Sequence, residues 1–217
     1  MQPVLLNNPS RVAPAQPLLI ASDWNGTLVQ DSRRAWRATQ RVLAAYGQPS
    51  PSLSTFRDSF QLPVSTWLAT LGIPGHLLET AEELWNAALT AGEVTLAPGG
   101  MTLLAAAHAA GTPVVIISGA ARNVVVQDAT RLGVLSLLGA IHAPSHPKNE
   151  ALRRLRTQYP SHQLIYVGDT EYDIRQGQLA GATSVAVTYG YSPAHKLRQA
   201  RPDLVVDSLD ELWPART

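Results

Sequence analysis

Asp23-Trp24-Asn25-Gly26-Thr27-Leu28 follows directly on the apolar run Leu18–Ser22. A carboxylate at the end of a buried strand, ahead of a glycine-containing turn, is well placed to attack phosphorus as a nucleophile. Gly168-Asp169-Thr170-Glu171-Tyr172-Asp173 follows a second apolar run, Gln163–Val167. Its Asp169 ends a strand and its Asp173 opens a helix, so both can face one Mg²⁺ together with Asp23; magnesium favours such sparse carboxylate sets with retained water. A plainer reading of Asp173, as the cap of its helix, stands beside that one. Ser118 ends Val114–Ile117 and precedes Gly119, where a hydroxyl and the backbone donors of the turn suit a phosphoryl oxygen. Gly26, in the first turn, is read as part of the same phosphate-binding set. Lys148, in Ser145-His146-Pro147-Lys148-Asn149-Glu150, is one of only two lysines (with Lys196) among seventeen Lys and Arg residues. A compact ammonium in an arginine-preferring chain points to a wanted point charge.

Positioning these groups requires strands that are buried on both faces. The runs Leu18–Ser22, Pro113–Ser118, Gln163–Gly168, Thr183–Thr188 and Leu204–Val206 are continuous instead of alternating, as such strands are. Helical stretches separate them: Gly100–Ala110 and Arg122–Leu132, each stopped by a glycine, Asn149–Tyr159, closed by Pro160, and Asp173–Ala180 before Gly181. The alternation predicts an α/β fold, a Rossmann-like parallel sheet covered on both faces by helices. Ligands then sit beyond the carboxyl ends of the strands, where Asp23, Ser118 and Asp169 all lie. Residues 31–95 interrupt the alternation with helices only (Asp31–Tyr46, roughly 54–60, Val64–Leu71, His76–Ala91) and no convincing strand. The expected organisation is an N-terminal arm over 1–16, a core over 17–30 and 96–217, and a helical cap over 31–95.

The composition narrows the partners. A net charge of +1 makes no electrostatic case for nucleic acid or an acidic membrane surface, and the absence of cysteine excludes disulfides, thiolate metal sites and a cysteine nucleophile. No apolar stretch approaches the ~20 residues that span a bilayer. The N-terminus lacks a basic segment followed by a long apolar one, so the expectation is a soluble, cytoplasmic protein. Histidines 76, 108, 142, 146, 162 and 195 have no metal-ligand spacing and read as surface or loop residues, His146 nearest the site through its proximity to Lys148. Arg33, Arg34, Arg37 and Arg57 on the insert are candidates to meet an anionic substrate tail, and Trp67 and Trp85 to line a pocket. Oligomeric state is not legible in the chain.

Taken in order, Asp23, Ser118, Lys148 and Asp169 with Asp173 resemble the four motifs of the haloacid dehalogenase superfamily. The spacing and the helical insert resemble its phosphoglycolate-phosphatase-like branch. The resemblance implies a Mg²⁺-dependent phosphatase acting on a small phosphorylated metabolite through an aspartyl-phosphate. Asp23 is then the nucleophile, and the backbone carbonyl of Asn25 joins Asp23, Asp169 and Asp173 on the metal. Ser118 and Lys148 hold the phosphoryl group. In the family the side chain two after the nucleophile moves protons as general acid and base, and here that residue is Asn25, whose amide cannot. Losing one such group costs about 10²–10⁴ in rate. Three accounts of Asn25 stand: proton transfer through water or substrate, a slow or regulatory member that binds a phospho-ligand, or an engineered substitution. Phosphonoacetaldehyde hydrolases also lack the second aspartate, but they need a cap lysine and residues 31–95 contain none. Haloacid dehalogenation is opposed by the acidic Gly168–Asp173 motif, which such metal-free enzymes do not use.

Overall fold

The computed structural model describes residues 16–213. The expected arm over 1–16 lies, save its last residue, outside the described residues. In chain order the elements are β1 Leu18–Ser22, β2 Val29–Gln30, α1 Ser32–Ala45, α2 Leu53–Ser59, α3 Val64–Thr70, α4 Leu78–Thr90 and β3 Thr95–Leu96. There follow α5 Gly100–Ala109, β4 Val114–Ile117, α6 Arg122–Arg131, β5 Ala140–His142, α7 Lys148–Gln158, β6 Gln163–Gly168, α8 Glu171–Ala180, β7 Thr183–Val187, α9 Ala194–Gln199 and β8 Leu204–Val206.

Six strands form one parallel sheet in the order β5-β4-β1-β6-β7-β8. The molecule is thus α/β, as the continuous apolar runs require. β1 lies between β4 and β6, with Ser22 level with Ile116 on one side and Val167 on the other. The residues that follow these three central strands emerge side by side at one edge. Alternate side chains of β1 serve the two faces: Ile20 packs in a cluster with Val114, Ile116, Val125 and Val185. Leu19 and Ala21 pack on the other side with Ile117, Leu152 and Tyr166. Each face is dry, which is why the sequence shows runs and not alternation.

Between β2 and β3, α1–α4 gather a separate apolar cluster in which Phe56, Phe60, Trp67, Leu68 and Trp85 meet Val42, Leu43 and Leu89. α1 supplies it from one face, through Ala35, Ala38, Thr39, Val42 and Leu43, while Arg33, Arg37 and Arg41 stay exposed. Tyr191, from the core, stands in the same cluster, its ring 4.8 Å from Phe60 and near-perpendicular to it. The chain leaves and re-enters the core through an antiparallel ribbon in which Val29 pairs with Leu96 and Gln30 with Thr95.

The ribbon corrects the expectation of a strandless stretch up to residue 95. The pairing is two residues long on each side, too short for period-two patterning. Two further elements differ from the sequence reading. β5 is an edge strand whose residues are only half-buried, and α9 is a six-residue helix opened by Pro193. His142 falls in β5 and is half-buried, whereas His108 in α5 and His195 in α9 are exposed, in line with the surface reading.

Candidate active site

The turn after β1 is fixed before any ligand is considered. Asp23 N–H donates to Val167 O at 2.9 Å, while Leu28 and Val29 N–H both return to Trp24 O at 3.0 Å. Gly26 takes φ +78°, and a Cβ there would strike the carboxylate of Asp169, so the position is closed to other residues twice over. Trp24 is wholly buried, and its own N–H donates to Asp23 Oδ1 at 2.7 Å.

Lys148 opens α7 and is completely buried, with Nζ 2.9 Å from Asp23 Oδ1 and 2.7 Å from Asp173 Oδ1. Asp173 caps its helix and also turns toward the site. With Thr170 it forms a capping box on α8, Thr170 N–H donating to its Oδ2 at 3.2 Å. Its Oδ1 meanwhile takes Lys148 and the Tyr166 hydroxyl, the latter at 2.9 Å. Asp169 accepts from Thr27 Oγ1 at 2.8 Å and from the Tyr191 N–H at 2.7 Å. One ligand oxygen from each of Asp23, Asp169 and Asp173 falls within 4.8 Å of the others, and all three residues are buried. The Ser118 hydroxyl oxygen accepts from Ala120 N–H at 3.1 Å, which leaves its proton available to a ligand.

The charges are unbalanced. Burial, with Asp173 adding to it, outweighs Lys148 and pushes the Asp23 carboxyl up to about 7. Burial and the charges of Asp173 and Asp23 push Asp169 well above the carboxylate range. Burial works against the Lys148 ammonium, but Asp173 and Asp23 prevail and hold it charged. Three enclosed carboxylates sharing one cation are short of positive charge, and a divalent ion held by oxygen ligands fits that deficit. The residues present therefore suit a divalent metal.

Asn25 is tied to a group that the sequence reading did not single out. Its Nδ2 donates to Asp31 Oδ2 at 2.6 Å, and Gly26 N–H donates to Asp31 Oδ1 at 3.0 Å. Tyr191 Oη donates to Asp31 Oδ1 at 2.8 Å, and Arg34 lies 3.0 Å from Oδ2. Arg34 also grips Asp128 with both terminal nitrogens, at 2.8 and 2.7 Å. Asp31 stands at the start of α1, yet caps no backbone of that helix. An acidic residue at a helix start carries no sequence signal for this role. Tyr191 lies 160 residues from Asp31, and Arg34, three residues away, links it to Asp128 94 residues further on, which no local pattern reveals.

Of the residues picked from sequence, Asp23, Asn25, Ser118, Gly119, Lys148 and Asp169 line one cavity of about 30 Å³, roofed by the insert. Asp173 stands behind Lys148 and Gly26 behind Asp169. His146 lies against Gly119, where a Cβ would meet its ring, and burial beside Lys148 lowers its pKa. Trp85 lines the cavity, while Trp67 belongs to the core of the insert. The arginines go elsewhere. Arg34 is spent on Asp31 and Asp128, and Arg57 donates to Gly190 O at 2.9 Å. Arg33 and Arg37 line a separate cleft of about 740 Å³.

Known proteins share this fold. The fold matches a haloacid dehalogenase-like family hydrolase from Streptococcus pneumoniae with TM-score 0.77 at 22% identity, over 91% of this chain and 96% of that one. A HAD family hydrolase from Deinococcus radiodurans R1, determined with bound phosphate and sodium, matches with TM-score 0.68 at 25% identity, over 91% and 94%. Phosphoglycolate phosphatase of Salmonella paratyphi A is 36% identical over 70 residues, 32% of this chain. The matched stretch spans only 28% of that relative's length. Residues 20–187, which carry every one of the motif residues above, match the haloacid dehalogenase-like hydrolase family as a whole, and the chain belongs to it.

Proposed function

We propose that the protein is a Mg²⁺-dependent phosphatase that hydrolyses a small soluble phosphate monoester through an aspartyl-phosphate on Asp23. The observation that carries this reading is the enclosed set of Asp23, Asp169 and Asp173 around Lys148, open to one small cavity. Family membership and the phosphatase names of its relatives support it. Residues 31–95 then act as a cap over that cavity. No described helix is long and apolar enough to cross a membrane, in keeping with a cytoplasmic enzyme.

Asp23, Asp169 and Asp173 with the backbone carbonyl of Asn25 would hold Mg²⁺, which supplies charge neutralisation for the phosphoryl oxygens when bound. Lys148 and Ser118 hold and orient the phosphoryl group, with backbone donors of the Gly119 turn; Gly26, read from sequence as part of the phosphate-binding set, instead gives its N–H to Asp31. Both hydrogen bonds to Asp23 fall on Oδ1, which leaves Oδ2 to attack phosphorus. The ester P–O bond breaks as the Asp23–phosphorus bond forms, and the leaving oxygen takes a proton from solvent. Water then attacks the acyl phosphate, releasing phosphate and restoring the carboxylate.

Position 25 offers no proton in this scheme. Its amide is committed to Asp31 at 2.6 Å, which favours slow turnover. Phosphate release from a panel of short phosphoesters, with Asp23→Ala as the blank, tests the proposal. A Mg²⁺-dependent rate that survives Asp23→Ala sinks the nucleophile. A burst of leaving group followed by slow phosphate release marks a slow hydrolase, and binding without any burst marks a phospho-ligand binder.

A further inference from the structure

The cavity beside Asp23 takes part of its wall from the insert, besides Ala120, Thr170 and Tyr191 of the core. Phe60, Leu62, Val64 and Trp85 make it apolar, and Glu82 and Asn86 are the insert's polar contributions. Asn86 is already used. Its Nδ2 donates to Glu82 O at 2.9 Å, and its Oδ1 receives the Ala121 N–H at 3.2 Å, which fastens α4 to the loop after β4. Glu82 and Asn86 lie one helical turn apart, so the Glu82 side chain is carried on the same face of α4. Among the described residues the Glu82 carboxylate forms no hydrogen bond and no ion pair.

Among the described residues the only cation in the wall is Lys148, and Asp23 and Asp173 already share it. Arg34 and Arg57 are committed to other partners, and Arg33 and Arg37 face a different cleft. A substrate carboxylate entering beyond the phosphoryl site would therefore meet a like charge with no counter-charge. A hydroxyl or an ammonium would meet an unoccupied acceptor, with apolar walls around a short chain.

We propose that Glu82 selects the substrate: the alcohol esterified to phosphate is short and carries a hydrogen-bond donor, hydroxyl or ammonium, and esters ending in a carboxylate are rejected. This rests on the phosphatase reading of the same site. It separates this chain from what the name phosphoglycolate phosphatase says of its relatives.

The test is kcat/KM of the full chain with Mg²⁺ for phosphoethanolamine, glycerol 1-phosphate and phosphoglycolate. Acetyl phosphate, an acyl phosphate with no charge beyond its phosphoryl group, serves as the reference. The wild type favours the donor-bearing esters over phosphoglycolate by tenfold or more. Glu82→Gln narrows that ratio at least tenfold for phosphoethanolamine, and Glu82→Lys inverts it. Because a ratio is read, a variant that folds poorly lowers all substrates together and leaves it unmoved. Phosphoglycolate as the best wild-type substrate overturns the inference, as does a ratio indifferent to both variants. Release from none of the three esters and none from acetyl phosphate defeats the phosphatase reading itself, and the specificity falls with it.

Discussion

At the scale of single residues, the Asn25–Asp31 contact reshapes what a restored carboxylate would do. Asp31 receives Asn25, Gly26, Arg34 and Tyr191, and it has no capacity left for a second acid beside it. Asn25→Asp puts two carboxyl groups where one amide proton now bridges them, so one of the pair must hold a proton near neutrality. A carboxyl that keeps its proton is the group the leaving oxygen lacks, and turnover should rise by about 10²–10⁴. The same variant should lose stability as pH rises through the elevated pKa, because the unfolded chain ionises freely there. Rate and thermal melting measured across pH on one preparation check both halves; a faster enzyme with an unchanged melting profile would mean the two carboxyl groups do not interact. Lys148 makes a simpler case. Lys148→Met leaves Asp23 and Asp173 facing each other without their cation, and breaking such a buried pair costs about 3–5 kcal/mol. Urea denaturation without divalent metal reads that loss.

At the scale of elements, what could be read from the chain follows burial. Strands with both faces covered announce themselves, and Leu18–Ser22 and Gln163–Gly168 stand where the apolar runs placed them. Ala140–His142 does not, because a half-buried edge strand needs no apolar run. The site divides in the same way. Asp23, Ser118 and Asp169 end strands, so locating three strands located three groups. Asp31, Arg34, Asp128 and Tyr191 come together only when α1, α6 and the loop after β7 are packed, and the chain separates them by as much as 160 residues. Asn86 belongs with these, since its acceptor role depends on α4 resting against the Ala121 N–H. Asn86→Ala leaves that N–H without its partner, at a cost of about 1–3 kcal/mol if it stays buried. Because the contact joins the insert to the core, the loss should appear as faster amide exchange at Ala121 and its neighbours and a raised KM. A variant with ordinary stability, wild-type exchange and unchanged KM would show that α4 is held by its apolar contacts alone.

At the scale of the whole molecule, the fold concentrates negative charge in a chain whose net charge is only +1. Three carboxylates enclosed at one sheet edge oppose folding unless protons or a cation offset them. The sign follows from the direction of the shifts. Asp23 is raised from 3.8 to about 7, so between those values the folded protein keeps a proton that the unfolded chain has released. In the metal-free protein its contribution to stability is present at low pH and is lost as pH rises through about 7. Asp169, raised by the same burial, acts in the same direction. A divalent ion takes the place of those protons, and it binds without competition only where they are already gone. Millimolar Mg²⁺ should therefore raise the melting temperature more at pH 8 than at pH 5. Asp169→Asn keeps an acceptor oxygen for the Tyr191 N–H, can donate its amide to Thr27 Oγ1, and removes one charge. It should melt higher than wild type at pH 8 without metal and should respond weakly to Mg²⁺. Equal Mg²⁺ shifts at the two pH values, or a variant that responds as the wild type does, would place the metal away from these carboxylates. The surplus charge would then be a cost that the fold meets by protonation alone.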